Sequence, residues 1–212
     1  MKDTGYSGGS VTVRALVIAG SPRRGGNSDI LAGRLVEGLR EGRAEVELLF
    51  ARDLNVAHCR ACYHCSRTGQ CIQEDDMQRL YELFLTRHRL CLVTPVFFCQ
   101  APSITQAIIE RTQTLWVRKY HRKEEVPVLE HPRQGLLVAV GGTRGQRVFD
   151  GLRCAIRYWL DSVDIRSPHV LTCNAVDEKG AILQHPDFLQ EVYETGLRLA
   201  RPGGWKSASG QQ

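Results

Sequence analysis

No apolar run in the 212 residues approaches the ~20 needed for a membrane-spanning helix, so no membrane partner is expected. Met1–Ser10 carries no apolar core after its single Lys2, which leaves no secretory signal and makes the cytoplasm the expected compartment. The net charge is only +5, and the Arg and Lys residues are scattered instead of massed in a stripe. Nucleic acid is therefore not an expected partner, although an anionic cofactor or substrate is compatible with the charge. No internal repeat is visible. The 42% hydrophobic and 24% charged residues are those of an ordinary globular protein able to bury a substantial core. Cysteine, by contrast, is plentiful: four of eight fall between Cys59 and Cys71, and in a reducing compartment such thiols point to metal or redox chemistry before disulfides.

Five segments have strand character. Val11–Ala19 is β-branched and apolar, as in a buried parallel strand; Glu45–Phe50, Leu90–Thr94 and Leu136–Val140 follow, and a fifth lies near Ile165–Leu171. Between them run helical patterns. Ile30, Leu31, Leu35, Val36 and Leu39 share one face, with Gly42 as a stop. Asp75 or Asp76 opens a helix with Met77, Leu80, Tyr81, Phe84 and Leu85, and Ser103 caps one carrying Ile104, Ala107, Ile108, Leu115 and Trp116. Arg118–Glu125 is expected as a surface loop. Two further helices hold Leu152, Ile156, Trp159 and Leu160, and then Phe188, Val192, Leu197 and Leu199. This alternation predicts an α/β fold, a flavodoxin-like doubly wound five-stranded parallel sheet of order 2-1-3-4-5 with helices on both faces. Residues 11–201 form the single expected domain, with a Cys-rich loop at 55–73; polar residues 1–10 read as a flexible leader and 202–212 as a flexible tail.

In such a fold the ligand sits beyond the carboxyl ends of the strands. There the first strand runs into Gly20-Ser21-Pro22-Arg23-Arg24-Gly25-Gly26-Asn27-Ser28 before a helix. A strand–helix junction offers free backbone N–H groups and the positive end of a helix dipole, which together attract an anion. Ser21 and Ser28 add hydroxyls, Asn27 an amide, and Arg23 or Arg24 positive charge, while Gly25 and Gly26 permit close backbone approach. The loop lacks the Gly-Lys-Ser/Thr of a Walker A element and the G-x-G-x-x-G of a dinucleotide fold, and no cysteine precedes its Arg as in a tyrosine phosphatase. A plain capped turn is the alternative.

Cys59, Cys62, Cys65 and Cys71 are spaced C-x2-C-x2-C-x5-C on the same predicted edge. Thiols at every third position converge where the backbone curls, and Gly69 eases the turn that returns Cys71. Such a loop suits a [4Fe–4S] cluster better than structural zinc, which usually takes two separated C-x2-C pairs. Zinc, with His58 or His64 as substitute ligands, a C-x-x-C redox pair and empty thiols stay open. Cys91 is expected to be buried, and Cys154 and Cys173 to be structural.

The GSPRRGGNS loop, the cysteine loop followed by Glu74-Asp75-Asp76-Met77, and the Thr94-Pro95-Val96-Phe97-Phe98 turn together resemble the NAD(P)H-dependent FMN reductase and iron–sulfur flavoprotein group, in order from about Val13 to Arg111 and more weakly onward. The resemblance implies non-covalent FMN. Ser21, Arg23, Asn27 and Ser28 match positions that hold its phosphate and ribityl chain. Pro95, Val96, Phe97 and Phe98 match the turn along the isoalloxazine, and Gly141, Gly142 and Thr143 a third loop near the ring. The cysteine spacing is close to that of the iron–sulfur members. Two departures stand out: the family often has Tyr where this chain has Phe97 or Phe98, and Lys where it has Gln106. Core packing is the alternative for either Phe, and Arg111 either pairs with an acidic neighbour or closes the flavin pocket.

The implied activity is an FMN-dependent oxidoreductase carrying a [4Fe–4S] cluster and passing electrons between NAD(P)H or ferredoxin and a small-molecule or protein acceptor. No separate nicotinamide fingerprint and no acid–base residue is apparent, so orientation and electrostatics are the protein's contribution. A cluster-free NAD(P)H:flavin or quinone reductase, a non-catalytic redox carrier or sensor, and a zinc-loop protein are the other readings. Family members commonly form homodimers or homotetramers, with Trp116 and Phe98 as candidate residues at a shared flavin rim.

Overall fold

Each of the five apolar segments becomes a strand: β1 (Arg14–Ala19), β2 (Glu45–Phe50), β3 (Arg89–Pro95), β4 (Gln134–Val140) and β5 (His169–Cys173). The structure, a computed structural model, describes residues 11–145 and 147–205. All neighbouring strands pair in parallel, in the order β2-β1-β3-β4-β5. The register sets Ala19 of β1 beside Phe50 of β2 and beside Val93 of β3, so the loops leaving these strands start side by side.

Alternation along the strands divides the core into two layers. Ala15, Val17, Ala19, Cys91, Val93, Leu136 and Val138 face α1 (Asn27–Glu41) and the last helix, Pro186–Leu199. Leu16, Ile18, Leu90, Leu92, Leu137 and Ala139 face the opposite layer. That layer is built from α3 (Met77–Thr86), α4 (Ser103–Arg111), α5 (Gln113–Tyr120) and α6 (Asp150–Asp161); α2 (His64–Thr68) belongs to the cysteine loop, and Pro186–Leu199 is α7. The sheet is thus covered on both faces, as parallel sheets require. Burial pushes the Cys91 thiol up to about 12, so it stays neutral in the core.

Several boundaries differ from the sequence expectation. β1 begins at Arg14 instead of Val11, and β5 lies later than Ile165–Leu171 because Ile165 packs into the core directly after α6. The helix expected from Ser103 through Trp116 is two helices. At the break the Thr112 hydroxyl donates to the Ile109 carbonyl at 2.6 Å, closing the first helix upon itself. Ser103 makes no cap; Pro102 precedes the first turn. Arg118–Tyr120 belongs to α5 instead of a surface loop. Cys154 is exposed, whereas Cys173 is partly buried and packs against the core layer under α1 and α7. The chain is packed as far as Trp205, past the expected domain end, with the Trp205 carbonyl accepting from Gln134 at 2.8 Å. Residues 1–10 and the remainder of the expected tail, 206–212, lie outside the described residues. Among the described residues no helix is long and apolar enough to cross a membrane.

α1 and α7 cross closely through Gly38. A Cβ there would lie 2.1 Å from the Tyr193 carbonyl oxygen, and the obstacle is backbone. Gly38→Ala should therefore destabilise the fold, because overpacking at about 1–3 kcal/mol outweighs the ~1 kcal/mol that alanine gains in helix propensity. Thermal unfolding should shift downward; a raised melting temperature would show that the two helices do not meet at this distance.

Candidate functional site

At the carboxyl edge of the sheet, the loops after β1, β3, β4 and β5 meet around two cavities. The smaller, about 60 Å³, is lined by Ser21, Arg23, Asn27, Ser28, Pro95, Val96, Phe97 and Gly142, together with Val176 and Asp177. The larger, about 710 Å³, is lined by Val96, Phe97, Phe98, Gly142, Thr143, Cys99 and Arg147 among others. They share Val96, Phe97 and Gly142. All the residues expected to hold a flavin thus come together except Gly141. That residue lies behind the wall, its N–H on the Cys173 carbonyl at 3.0 Å and its carbonyl accepting from Val176 at 3.0 Å. Phe97 and Phe98 are exposed, so the core-packing alternative fails for both rings. Phe98 and Cys99 have positive φ (48° and 63°), which lifts the Phe98 ring off the surface. Trp116 instead lines a separate cavity with Gln113 and Tyr158, away from Phe98.

The β1–α1 junction retains the donors an anion needs. Among the described residues the backbone N–H groups of Arg24, Gly26, Asn27 and Ser28 have no protein acceptor. Arg23 N–H donates to Ser21 Oγ (3.1 Å) and Gly25 N–H to Asp29 Oδ2 (2.7 Å). Gly26, not Asn27 or Ser28, occupies the N-cap position. Asn27 is spent on the loop after β5, its Nδ2 donating to the Glu178 carbonyl at 2.8 Å and its Oδ1 accepting from Ile182 at 3.2 Å. Its side chain fixes the cradle and its backbone N–H remains free. Of the two arginines, Arg23 lines the cavity and reaches the Asp177 carbonyl (3.3 Å), whereas Arg24 pairs with Asp53 at the surface. Sequence reading missed Lys179, whose Nζ lies 3.5 Å from where a Gly25 Cβ would stand. It also missed Arg52 and Asp29 beneath the loop, since neither carries a motif.

A third cavity, about 690 Å³, is lined by Cys59, Cys62, Cys65 and Cys71, with Tyr63, His64, Thr114 and His121. All four thiols are free, Cys62 exposed and the others partly buried. The backbone curls through left-handed conformations at Ala61 (φ 50°) and Tyr63 (φ 56°) on either side of Cys62, and at Gly69 (φ 76°) before Cys71. Gly69 ends α2 with its N–H on the Cys65 carbonyl at 2.8 Å. The thiols surround the cavity instead of meeting at a point; among the described residues no three His, Cys, Asp or Glu side chains group closely enough for one metal ion. Burial raises the Cys65 thiol, and repulsion from Cys71 and Cys59 adds to this against the Thr114 hydroxyl, which lowers it. A cationic centre in the cavity would reverse that repulsion.

The neck of this loop is tied by Arg111, which pairs with an acidic neighbour and takes no part in the flavin cavities. Its side chain is 1% exposed, and Asp75, its partner, 8%. Arg111 Nη1 donates to Asp75 Oδ2 (2.7 Å) and to the Ala57 carbonyl (2.9 Å); Nη2 donates to Asp75 Oδ1 (3.0 Å) and to the Gln73 carbonyl (3.3 Å). Asp75 in turn accepts the N–H groups of Ala57 and Met77, both at 3.1 Å. The two ends of the cysteine loop are therefore fastened to one ion pair.

A five-stranded 2-1-3-4-5 sheet, with loops gathered at the switch point between β1 and β3, defines the class: a flavodoxin-like protein. Residues 13–177 match the model of the NADPH-dependent FMN reductase family, and the chain belongs to that family. It is 29% identical to an iron–sulfur flavoprotein of Methanosarcina thermophila over 60% of its own length and 62% of the relative's. It is 28% identical to an iron–sulfur flavoprotein of Archaeoglobus fulgidus over 60% and 61%. The chain therefore spans less than two thirds of the length of these relatives. Among solved structures, it superposes on a NAD(P)H:quinone oxidoreductase from Methanothermobacter marburgensis with a TM-score of 0.69, covering 90% of this chain and 98% of that one at 13% identity. An FMN-dependent NADH-azoreductase from Bacillus anthracis, solved in complex with FMN, gives 0.65 over 89% and 100% at 16% identity. These two likenesses show the shared fold.

Burial alone would raise the Asp75 carboxyl, but hydrogen bonds from Arg111 and from the Ala57 and Met77 backbone outweigh it and hold it below its ordinary value. A carboxyl lowered on folding stabilises the protein above its unfolded pKa, roughly 3.9, and that stabilisation fades as pH falls through the folded value. Arg111→Met should cost about 3–5 kcal/mol at neutral pH, since it strands a buried carboxylate. The gap in stability between wild type and Asp75→Asn should be constant from pH 5 to 7 and shrink below pH 4. A gap independent of pH down to 3 would show that the pair does not hold the neck.

Proposed function

We propose that this chain is an FMN-dependent oxidoreductase that accepts electrons from a nicotinamide donor or ferredoxin and passes them to a small-molecule or protein acceptor. Cys59, Cys62, Cys65 and Cys71 hold a [4Fe–4S] cluster in this reading. The observation that carries it is the set of N–H groups at Gly26, Asn27 and Ser28, without a protein acceptor among the described residues, opening on a cavity walled by Val96, Phe97 and Gly142, with the exposed Arg24 N–H free just outside it. Buried backbone donors are almost always paired, so the three left free at the buried Gly26, Asn27 and Ser28 mark where an anion belongs.

The residues present fit both groups. Ser28 and the loop N–H groups would take the FMN phosphate beside Pro95 in the smaller cavity, while Val96–Phe98 and Gly142–Thr143 would lie along the ring in the larger one. Four thiols spread around one cavity suit a polynuclear cluster, each iron taking one thiolate, more than a single tetrahedral ion. Bound FMN supplies two-electron exchange with nicotinamides and one-electron exchange with iron–sulfur centres. The chain supplies binding and orientation: the phosphate anchor fixes the ring relative to Phe97 and Phe98, whose exposed faces leave room for a planar donor. No side chain in the cavity is assigned a proton-transfer role. The iron–sulfur flavoproteins among its relatives support the cluster. The fully exposed Phe98 supports association into a homodimer or homotetramer that covers this rim.

Anaerobic purification, followed by flavin quantitation and iron and sulfide analysis, tests the proposal. About one FMN and four irons per chain are expected, with catalytic oxidation of NAD(P)H or of reduced ferredoxin. FMN without iron or sulfide would leave a cluster-free reductase, and bound FMN without turnover would leave a carrier. A colourless protein with neither group would defeat the whole reading.

A further inference from the structure

Arg52 lies 31 residues from Ser21 in sequence and is brought to it by the sheet. Because Ala19 pairs with Phe50, the residues following each strand continue side by side, and Arg52 comes to rest under the loop that leaves β1. The side chains of Arg52 and Asp29 are only 10% and 13% exposed. Their contact is a two-pronged fork: Nη1 to Asp29 Oδ1 and Nη2 to Asp29 Oδ2, both at 2.9 Å. Nη1 also donates to the Ser21 carbonyl (3.2 Å) and the Arg23 carbonyl (3.3 Å), and the guanidinium stacks 4.3 Å over the Phe50 ring. Asp29 completes the circuit by accepting the Gly25 N–H.

This arrangement solves two problems for a loop that must present donors to an anion. A peptide whose N–H groups are reserved for a ligand also needs somewhere to place its carbonyl oxygens, and Arg52 accommodates those of Ser21 and Arg23. Asp29 fixes the turn at Gly25 but sets a carboxylate within a few residues of the free N–H groups, where it repels any phosphate. Arg52 neutralises that carboxylate in a shielded position, where screening by salt is weak.

We propose that Arg52, paired with Asp29, is a positioning residue that sets the affinity of the loop for the FMN phosphate without touching it. The inference rests on the reading of this loop as an FMN phosphate site. Arg52 acts on the phosphate end alone; the ring cavity, formed by the loops after β3 and β4, does not contact it.

The test compares FMN with riboflavin, which lacks the phosphate, by flavin-fluorescence titration of apo-protein from wild type, Arg52→Met and Arg52→Met/Asp29→Asn. Circular dichroism checks that each is folded. For Arg52→Met the Kd for FMN should rise at least tenfold, while that for riboflavin changes less than threefold. The double variant should regain part of the FMN affinity, because the carboxylate left without its partner is gone; a merely structural role predicts no such rescue. Equal losses for FMN and riboflavin, or no loss for either, would overturn the inference with the FMN site left standing. Should Arg52→Met fail to fold, the double variant decides alone: FMN affinity no more reduced than riboflavin affinity would contradict it. Failure of the wild-type chain to bind FMN would overturn the underlying reading, and this inference with it.

Discussion

The buried ion pair between Arg111 and Asp75 is the interaction on which the cysteine loop depends. From Ala57 to Gln73 the chain has no strand partner and only the short α2, so nothing regular holds it in place. Both loop ends are fastened to the same pair, through the Ala57 and Gln73 carbonyls and the Ala57 N–H. Taking two charges from water is costly, and a buried pair adds little net stability over an apolar substitute. Its value lies in geometry. A guanidinium with several donors in a fixed plane can join three chain segments at one point, which apolar contacts cannot do with comparable direction.

The same device recurs at two other places where the sheet stops supplying hydrogen bonds. Arg52 gathers the carbonyls of the loop after β1. At the opposite end of the sheet, the fully buried Arg89 donates to carbonyls of Leu199, Pro132 and Arg201, each at 2.7 Å, tying the end of α7 to β3. Burial lowers the Arg89 guanidinium to about 10, so it remains charged at neutral pH. A parallel sheet needs long crossovers and collects its loops at the carboxyl edge. Here these loops are stiffened by buried cations bonded to main-chain oxygens, which keeps the unpartnered N–H groups and the thiols in fixed positions.

Much of this was legible in the sequence because it depends on local pattern. Glu45–Phe50 is the second strand as expected, Gly42 ends α1, and the β1–α1 loop announces its donors through Ser, Asn and Gly. The cysteine spacing marks its loop without help from the fold. What escaped depends on distant contacts. The break at Thr112 follows from a hydroxyl bonding back to Ile109, with no Gly or Pro to signal it. Arg52 belongs to no motif, and only the β1–β2 register places it under Ser21. Asn27 reads as a phosphate ligand, yet its amide is taken by the loop after β5, near the other end of the chain. Arg111 had an expected acidic partner, but only the closed loop reveals that it holds both ends together.

The central claim is that one edge of this sheet holds a flavin phosphate in the β1–α1 loop and a cluster in the adjacent cysteine loop. A crystal structure of anaerobically purified protein tests it most directly. The account predicts FMN phosphate oxygens within hydrogen-bond distance of the Arg24, Gly26, Asn27 and Ser28 N–H groups, and one cubane bonded through the sulfurs of Cys59, Cys62, Cys65 and Cys71. A flavin anchored elsewhere, or a single tetrahedral ion among the four cysteines, would contradict it.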